Sequence, residues 1–139
     1  MGKRIPKLPT LPDRPKPQPS RMHTPIGVSF RRVDPGADFC LSECTRDEVR
    51  EYIDALRQLT TLTWQQVLET GGKGRNKAGL AFTPYADSDL RRVTRPAWLS
   101  EDVRISAVRA SQRSRIFGIY LEHTFYILWF DRGHDIVKV

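Results

Sequence analysis

The stretch Arg115-Ile116-Phe117-Gly118-Ile119-Tyr120-Leu121-Glu122-His123-Thr124-Phe125-Tyr126-Ile127-Leu128-Trp129-Phe130-Asp131 decides the fold. Residues 116–121 and 124–130 are dense in β-branched and aromatic side chains, which fit a pleated, partly buried surface. Only Glu122-His123 lies between the two runs, a connection so short that they pair antiparallel as a hairpin. Alternation along the second run sets Phe125, Ile127 and Trp129 against Tyr126, Leu128 and Phe130 on opposite faces. One step upstream Val103, Ile105 and Ala107 alternate as a further strand, joined through a short connection around residues 110–114. Three consecutive antiparallel strands therefore make up the C-terminal third.

Upstream of the sheet the periodicity changes. Thr45-Arg46-Asp47-Glu48 has the form of a capping box, in which the threonine and glutamate side chains reciprocally satisfy amides left unpaired at a helix start. Val49, Tyr52, Ile53, Leu56 and Leu59 follow at helical spacing as one apolar stripe. A second box, Thr63-Trp64-Gln65-Gln66, opens a shorter helix reaching about Thr70, and Gly71-Gly72-Lys73-Gly74 stops it. Those glycines lack the spacing and the following Ser or Thr of a phosphate-binding loop, so a basic loop is expected. Ile26-Gly27-Val28-Ser29-Phe30-Arg31 alternates as a first strand, ended by the turn signal Asp34-Pro35-Gly36. Residues 75–100 read as irregular, with Arg91, Arg92 and Arg95 beside Pro84 and Pro96. The expectation is an α+β domain over residues 26–139, ordered β-α-α-β-β-β, with a strand and two helices packed on a C-terminal antiparallel sheet.

The 139 residues amount to 16.0 kDa, room for one core. Apolar content of 39% with 28% charged residues belongs to a soluble globular protein, and no apolar run approaches the roughly 20 residues of a membrane-spanning helix. The basic start is followed by prolines and charge rather than the apolar stretch of a secretory signal, so a cytoplasmic protein is expected. Residues 1–25 carry seven of the ten prolines. They are interleaved with Lys3, Arg4, Lys7, Arg14, Lys16 and Arg21, and also contain His23. Proline lacks the amide hydrogen for helix or ladder bonding, so this arm is expected to be extended, either a solubilising tail or a basic arm for nucleic acid or a partner. Cys40 and Cys44 have no second pair to complete a zinc site and read as buried or half-buried thiols. The net charge of +7 attracts polyanions: RNA, DNA or an acidic protein.

In a small basic chain, this element order and the run Arg115-Ile116-Phe117-Gly118 followed by Phe125-Tyr126-Ile127-Leu128-Trp129-Phe130-Asp131 resemble the RelE/ParE class of bacterial toxins. The resemblance spans residues 28–139. It implies two helices packed on an antiparallel sheet and a toxin that arrests growth, its ribonuclease members cutting messenger RNA on the ribosome. It also implies an antitoxin whose acidic segment lies across a basic face. The ending, Arg115-Ile116-Phe117-Gly118 through Asp131-Arg132-Gly133-His134, is also similar to short bacterial and phage proteins. Gln112-Arg113-Ser114-Arg115-Ile116-Phe117 is similar to the clamp-binding peptide of SocB-type toxins, in which a glutamine precedes a hydrophobic pair, with Arg115 standing where leucine is common. That second likeness implies a non-catalytic inhibitor docking a replication protein through Gln112 and Phe117.

Metal-independent RNA cleavage needs a base for the 2′-hydroxyl, cations for the phosphate and an acid for the leaving oxygen. The toxin resemblance implies His134, Tyr126 and Arg115 as the catalytic set, with Arg104, Arg109, Gln112, Arg113 and Phe117 contacting nucleic acid or a partner. Tyr120, His123 and Lys138 are further candidates. Asp131 is placed to orient His134, although Asp131-Arg132-Gly133-His134 also makes an ordinary polar turn. Tyr120 and Tyr126 are equally ordinary strand residues, His123 suits a hairpin tip, and Trp64, Trp98 and Trp129 are expected in the core. Asp131, His134 and Asp135 lie too close together, without a partner motif, for a metal site to be expected, and no cofactor is implied. A basic accessory domain that binds nucleic acid through its arm is the remaining alternative.

Overall fold

The computed structural model describes residues 24–35, 38–70 and 79–137. Residues 1–23 of the proline arm with His23, Gly36, the Gly71-Gly72-Lys73-Gly74 loop and Lys138 lie outside the described residues. Strand β1 (Gly27–Ser29) leads to helix α1 (Arg46–Thr61) and helix α2 (Trp64–Thr70), followed by β2 (Thr83–Tyr85), β3 (Ile105–Arg109), β4 (Arg115–Leu121) and β5 (Thr124–Asp131). The fold is α+β; the described residues form two α-helices and one five-stranded sheet in the order β1-β5-β4-β3-β2.

Both helix starts form as their sequences require. The Thr45 amide donates to Glu48 Oε1 at 2.7 Å, and the Glu48 amide donates back to Thr45 Oγ1 at 3.2 Å. Thr63 and Gln66 repeat the exchange at 2.9 and 3.2 Å. α1 buries Tyr52, Ala55 and Leu59, whereas Ile53, at the edge of the stripe, is 49% exposed. With Val67 of α2 they meet Val108, Ile116, Phe125, Ile127 and Phe130 on one face of the sheet. Full burial of each large side chain contributes about 1.5–3 kcal/mol.

The sheet departs from the expected antiparallel array in two ways. β1 pairs in parallel with the outer edge of β5, Val28 opposite Phe125, so the sheet is mixed and β4 is its middle strand. Parallel neighbours need a long crossover, which α1, α2 and the segments after them supply. β2 adds an edge within the stretch read as irregular. Its Pro84 lies opposite Ser106, and an edge strand accommodates a residue without an amide hydrogen.

A bulge corrects the alternation along β5. Phe117 pairs with Trp129 but Gly118 pairs with Ile127, which leaves Leu128 as an extra residue. The extra residue resets the period of two, so Trp129 joins Leu128 and Tyr126 on the second face while Phe130 returns to the helix side. The second face is a core of its own: Ile105, Ala107, Phe117, Ile119, Leu128 and Trp129 lie under Leu99, Ile136 and Val137. Residues 86–104 and the C-terminal tail cover it, tied together by a bridge between Leu90 and Val137. At the tip of the β4–β5 hairpin Glu122 and His123 both take positive φ, 48° and 73°, as the favoured two-residue hairpin turn demands.

Candidate functional site

At one end of the sheet the 111–114 loop, the turn after β5, the first turns of α1 and the Asp38–Phe39 segment enclose an open cleft of about 840 Å³. The loop is built from within. Ser111 Oγ accepts from the amides of Arg113 (3.3 Å) and Ser114 (3.0 Å), and the Ala110 amide donates to the Ser114 carbonyl at 2.9 Å. Arg115 anchors it from below: one nitrogen, Nη1, donates to the carbonyls of Ser111 (2.8 Å), Gln112 (3.2 Å) and Ser114 (3.0 Å). The opposite wall is held by Arg132, whose Nε lies 2.9 Å from Glu48 Oε1 and whose Nη1 donates to the Glu43 carbonyl at 2.6 Å. The amide of Thr45 first, and Arg132 with it, hold the Glu48 carboxyl below its ordinary range. Arg92 closes the rim through Asp135 at 3.6 Å and lies over the Phe39 ring.

Beneath the cleft Tyr52 is fully buried, its hydroxyl close to Ser114 and Cys44 but without a well-formed hydrogen bond among the described residues; burial pushes its pKa well above the ordinary phenol value. Ser114, buried beside it, donates to the Arg132 carbonyl at 3.3 Å. Cys40 and Cys44 are free thiols, the first buried and the second half-buried, and burial with the nearby Glu48 charge pushes the Cys44 thiol up. Cys44 is not poised as a nucleophile, because a raised pKa keeps its thiol protonated.

The expected site residues separate into three groups. Gln112 and Arg113 line the cleft, and the Arg113 guanidinium forms no hydrogen bond or ion pair among the described residues. Arg109 and Arg115 stand directly opposite each other on β3 and β4 at the same end, both half-buried. Burial and then the Arg109 charge pull the Arg115 pKa below its ordinary value; Arg109 Nε is itself buried without a hydrogen-bond partner among the described residues. His134 sits in the turn between the lining residues Gly133 and Asp135, in the left-handed region at φ 60°. Asp131 does not orient it. Its two carboxylate oxygens accept the amides of Asp135 (3.0 Å) and Ile136 (2.9 Å), so the segment is the polar turn that its sequence also allowed.

Three expected residues lie elsewhere. Tyr126 is opposite Ile119, four strand positions from Arg115, or about 13 Å along the sheet. Arg104 precedes β3 and Arg109 ends it, so the two are roughly 17 Å apart. Phe117 is 1% exposed inside the second core, where it packs between Tyr85 and Trp129. A linear peptide ending in Phe117 is therefore not offered to a partner, because its strand is paired on both sides. Tyr120 stacks on Trp64 at 3.9 Å and approaches His123 Nδ1 at 3.4 Å, a packing arrangement at the other end of the sheet.

Tyr85 is the site residue that sequence reasoning missed. It lies on the face of Arg115 and close enough to be affected by its charge, and burial pushes its hydroxyl above the ordinary value, so it remains a donor at neutral pH. Pro84 beside it masked the strand. The cluster in the 75–100 segment is largely consumed by the fold: Arg95 pairs with Asp87 at 3.1 Å and donates to the Ser100 and Val103 carbonyls.

Charge is divided unevenly along the chain. The described residues hold thirteen arginines, no lysine, and fifteen aspartates and glutamates. The net +7 is supplied by Lys3, Arg4, Lys7, Arg14, Lys16 and Arg21, by Lys73, Arg75 and Lys77, and by Lys138. The described residues are therefore not basic in sum; Arg109, Arg113 and Arg115 are three arginines near one end of the sheet with no ion pair among the described residues. No group of three or more metal-ligating side chains occurs among the described residues, and no helix there is long and apolar enough to cross a membrane. Compared with protein families, with curated proteins and with solved structures, the chain matches none.

Proposed function

We propose that this chain is the toxin of a bacterial toxin–antitoxin pair, acting in the cytoplasm by binding RNA at the ribosome. The observation that carries the reading is the Arg109–Arg115 pair: two half-buried guanidinium groups side by side, neither ion-paired to a carboxylate among the described residues, with one buried nitrogen unsatisfied. Like charges so placed repel, and a phosphate relieves both the repulsion and the missing hydrogen bond. Arg113 stands free at the adjoining rim to extend the contact. Two helices on one face of a largely antiparallel sheet agree with the layout the toxin resemblance implies.

Binding is better supported than cleavage. Tyr85 supplies a donor, but no base is aligned with it: His134 has no orienting carboxylate and Tyr126 is remote. An antitoxin with an acidic segment would inhibit by occupying the same arginines. The test is pulse labelling of protein, RNA and DNA synthesis directly after induction in bacteria, beside Arg109→Ala and Arg113→Ala variants. Early loss of protein synthesis, relieved by Arg109→Ala, is expected. Absence of growth arrest, or a first loss in DNA synthesis, overturns the reading.

A further inference from the structure

Four large apolar side chains are exposed among the described residues, and two of them are aromatic, one of these lying under a cation. Trp98 is 47% exposed and Phe30 is 53% exposed. The Arg32 guanidinium lies 4.2 Å above the centre of the Trp98 ring. Phe30 and Arg32 are two residues apart, hence within about 7 Å along the backbone. Arg31, between them, is exposed and makes no ion pair among the described residues. Trp98 is thus outside the core that its composition predicted for it, although its neighbour Leu99 is buried there.

We infer that Arg32, set over the Trp98 ring and next in sequence to Arg31 and close to Phe30, is a base-stacking platform for single-stranded RNA. A guanidinium held over an indole by cation–π attraction has an outer side on which a nucleobase can stack, while its charge meets the flanking phosphate. The Phe30 ring leans on Phe130 at 6.3 Å and stays about half exposed, which gives a second aromatic surface. Base–aromatic stacking is sequence-tolerant because every base has a π face, so the platform selects unpaired strands rather than a sequence. The inference rests on the RNA reading above, but uses none of the residues of the cleft or of the Arg109–Arg115 pair.

The experiment titrates the full chain into a fluorescein-labelled twelve-nucleotide oligouridylate at low and moderate salt, with Trp98→Ala, Arg32→Ala and Arg32→Lys. Stacking of one base corresponds to a change of roughly 5- to 160-fold. Trp98→Ala should weaken binding about tenfold with an unchanged salt slope. Arg32→Lys should lose nearly as much while keeping its charge, and Arg32→Ala should also flatten the slope. Trp98→Phe, which retains a ring, should bind close to the parent and shows that the loss is not unfolding. Parent-like binding by Trp98→Ala or Arg32→Lys overturns the platform even if induction still arrests growth. Platform-dependent RNA binding without growth arrest upholds the platform and overturns the toxin reading alone. Equal or tighter binding of oligothymidylate or of duplex RNA overturns single-stranded RNA as the partner.

Discussion

Replacing Gly118 by alanine should be among the most damaging single-methyl additions to this protein. A Cβ at Gly118 would lie 2.3 Å from the Tyr126 carbonyl oxygen and 2.7 and 2.9 Å from two atoms of the Phe125 ring. Attractive contact between such atoms begins at about 3.5 Å, so β4 and β5 must part by roughly 1 Å. The opposing carbonyl belongs to the sheet and cannot rotate away as a side-chain tip can. Overpacking typically costs about 1–3 kcal/mol. Both strands are interior to the sheet, which places this site at the upper end, about 3 kcal/mol. Loss of glycine's freedom in the unfolded chain offsets about 0.5–1 kcal/mol of that. A net loss of about 2 kcal/mol lowers Tm by roughly 8 °C at this chain length. Thermal and urea unfolding followed by far-ultraviolet circular dichroism measures it. Combining Gly118→Ala with Phe125→Leu removes the ring obstacle but leaves the carbonyl, so stability should not return to that of Phe125→Leu alone. A loss under about 0.5 kcal/mol for Gly118→Ala would refute the packing argument.

Arg115→Met keeps much of the side-chain bulk but removes the donor to three loop carbonyls. We expect a loss of about 1–3 kcal/mol and faster amide exchange at residues 111–114, and unchanged exchange there would show that the loop holds itself. Asp131→Asn leaves one of the Asp135 and Ile136 amides without its carboxylate acceptor, at a cost of about 1–3 kcal/mol in urea unfolding; a neutral result contradicts the assigned turn. For Glu48 the folded pKa is depressed, so its stabilisation is complete above the ordinary glutamate range near pH 4.3 and is lost as pH falls through the folded value. The stability gap between the parent and Glu48→Gln should therefore be open at about pH 7 and close on acidification, and a gap independent of pH excludes the charge as its source.

The features legible in sequence were those written in local pattern. Each capping box names its own partners, and the Glu122-His123 connection leaves the flanking strands no alternative to a hairpin. β1's attachment to β5 was not legible, because alternation specifies which face a residue takes and not which strand lies beside it. The bulge at Leu128 was hidden for a related reason: six consecutive apolar residues satisfy either phase, and only the pairing with β4 shows where the phase changes. Much of the site depended on that missing register. Arg109 and Arg115 are brought together by the four-rung β3–β4 pairing, whereas Tyr126 was grouped with Arg115 on chemistry and is separated from it along the β4–β5 ladder. Trp98 carried no signal at all, since its exposure depends on how residues 86–104 lie over the second core.

The division of charge has a consequence for control. Every lysine is outside the described body, whose cations are all arginines. Acetylation neutralises amines and does not touch guanidinium groups. Complete acetylation of the six lysines would take the chain from +7 to about +1 while leaving Arg32, Arg109, Arg113 and Arg115 as they are. Lysine acetylation would therefore weaken long-range attraction to a polyanion while the guanidinium groups of the described residues kept their charge.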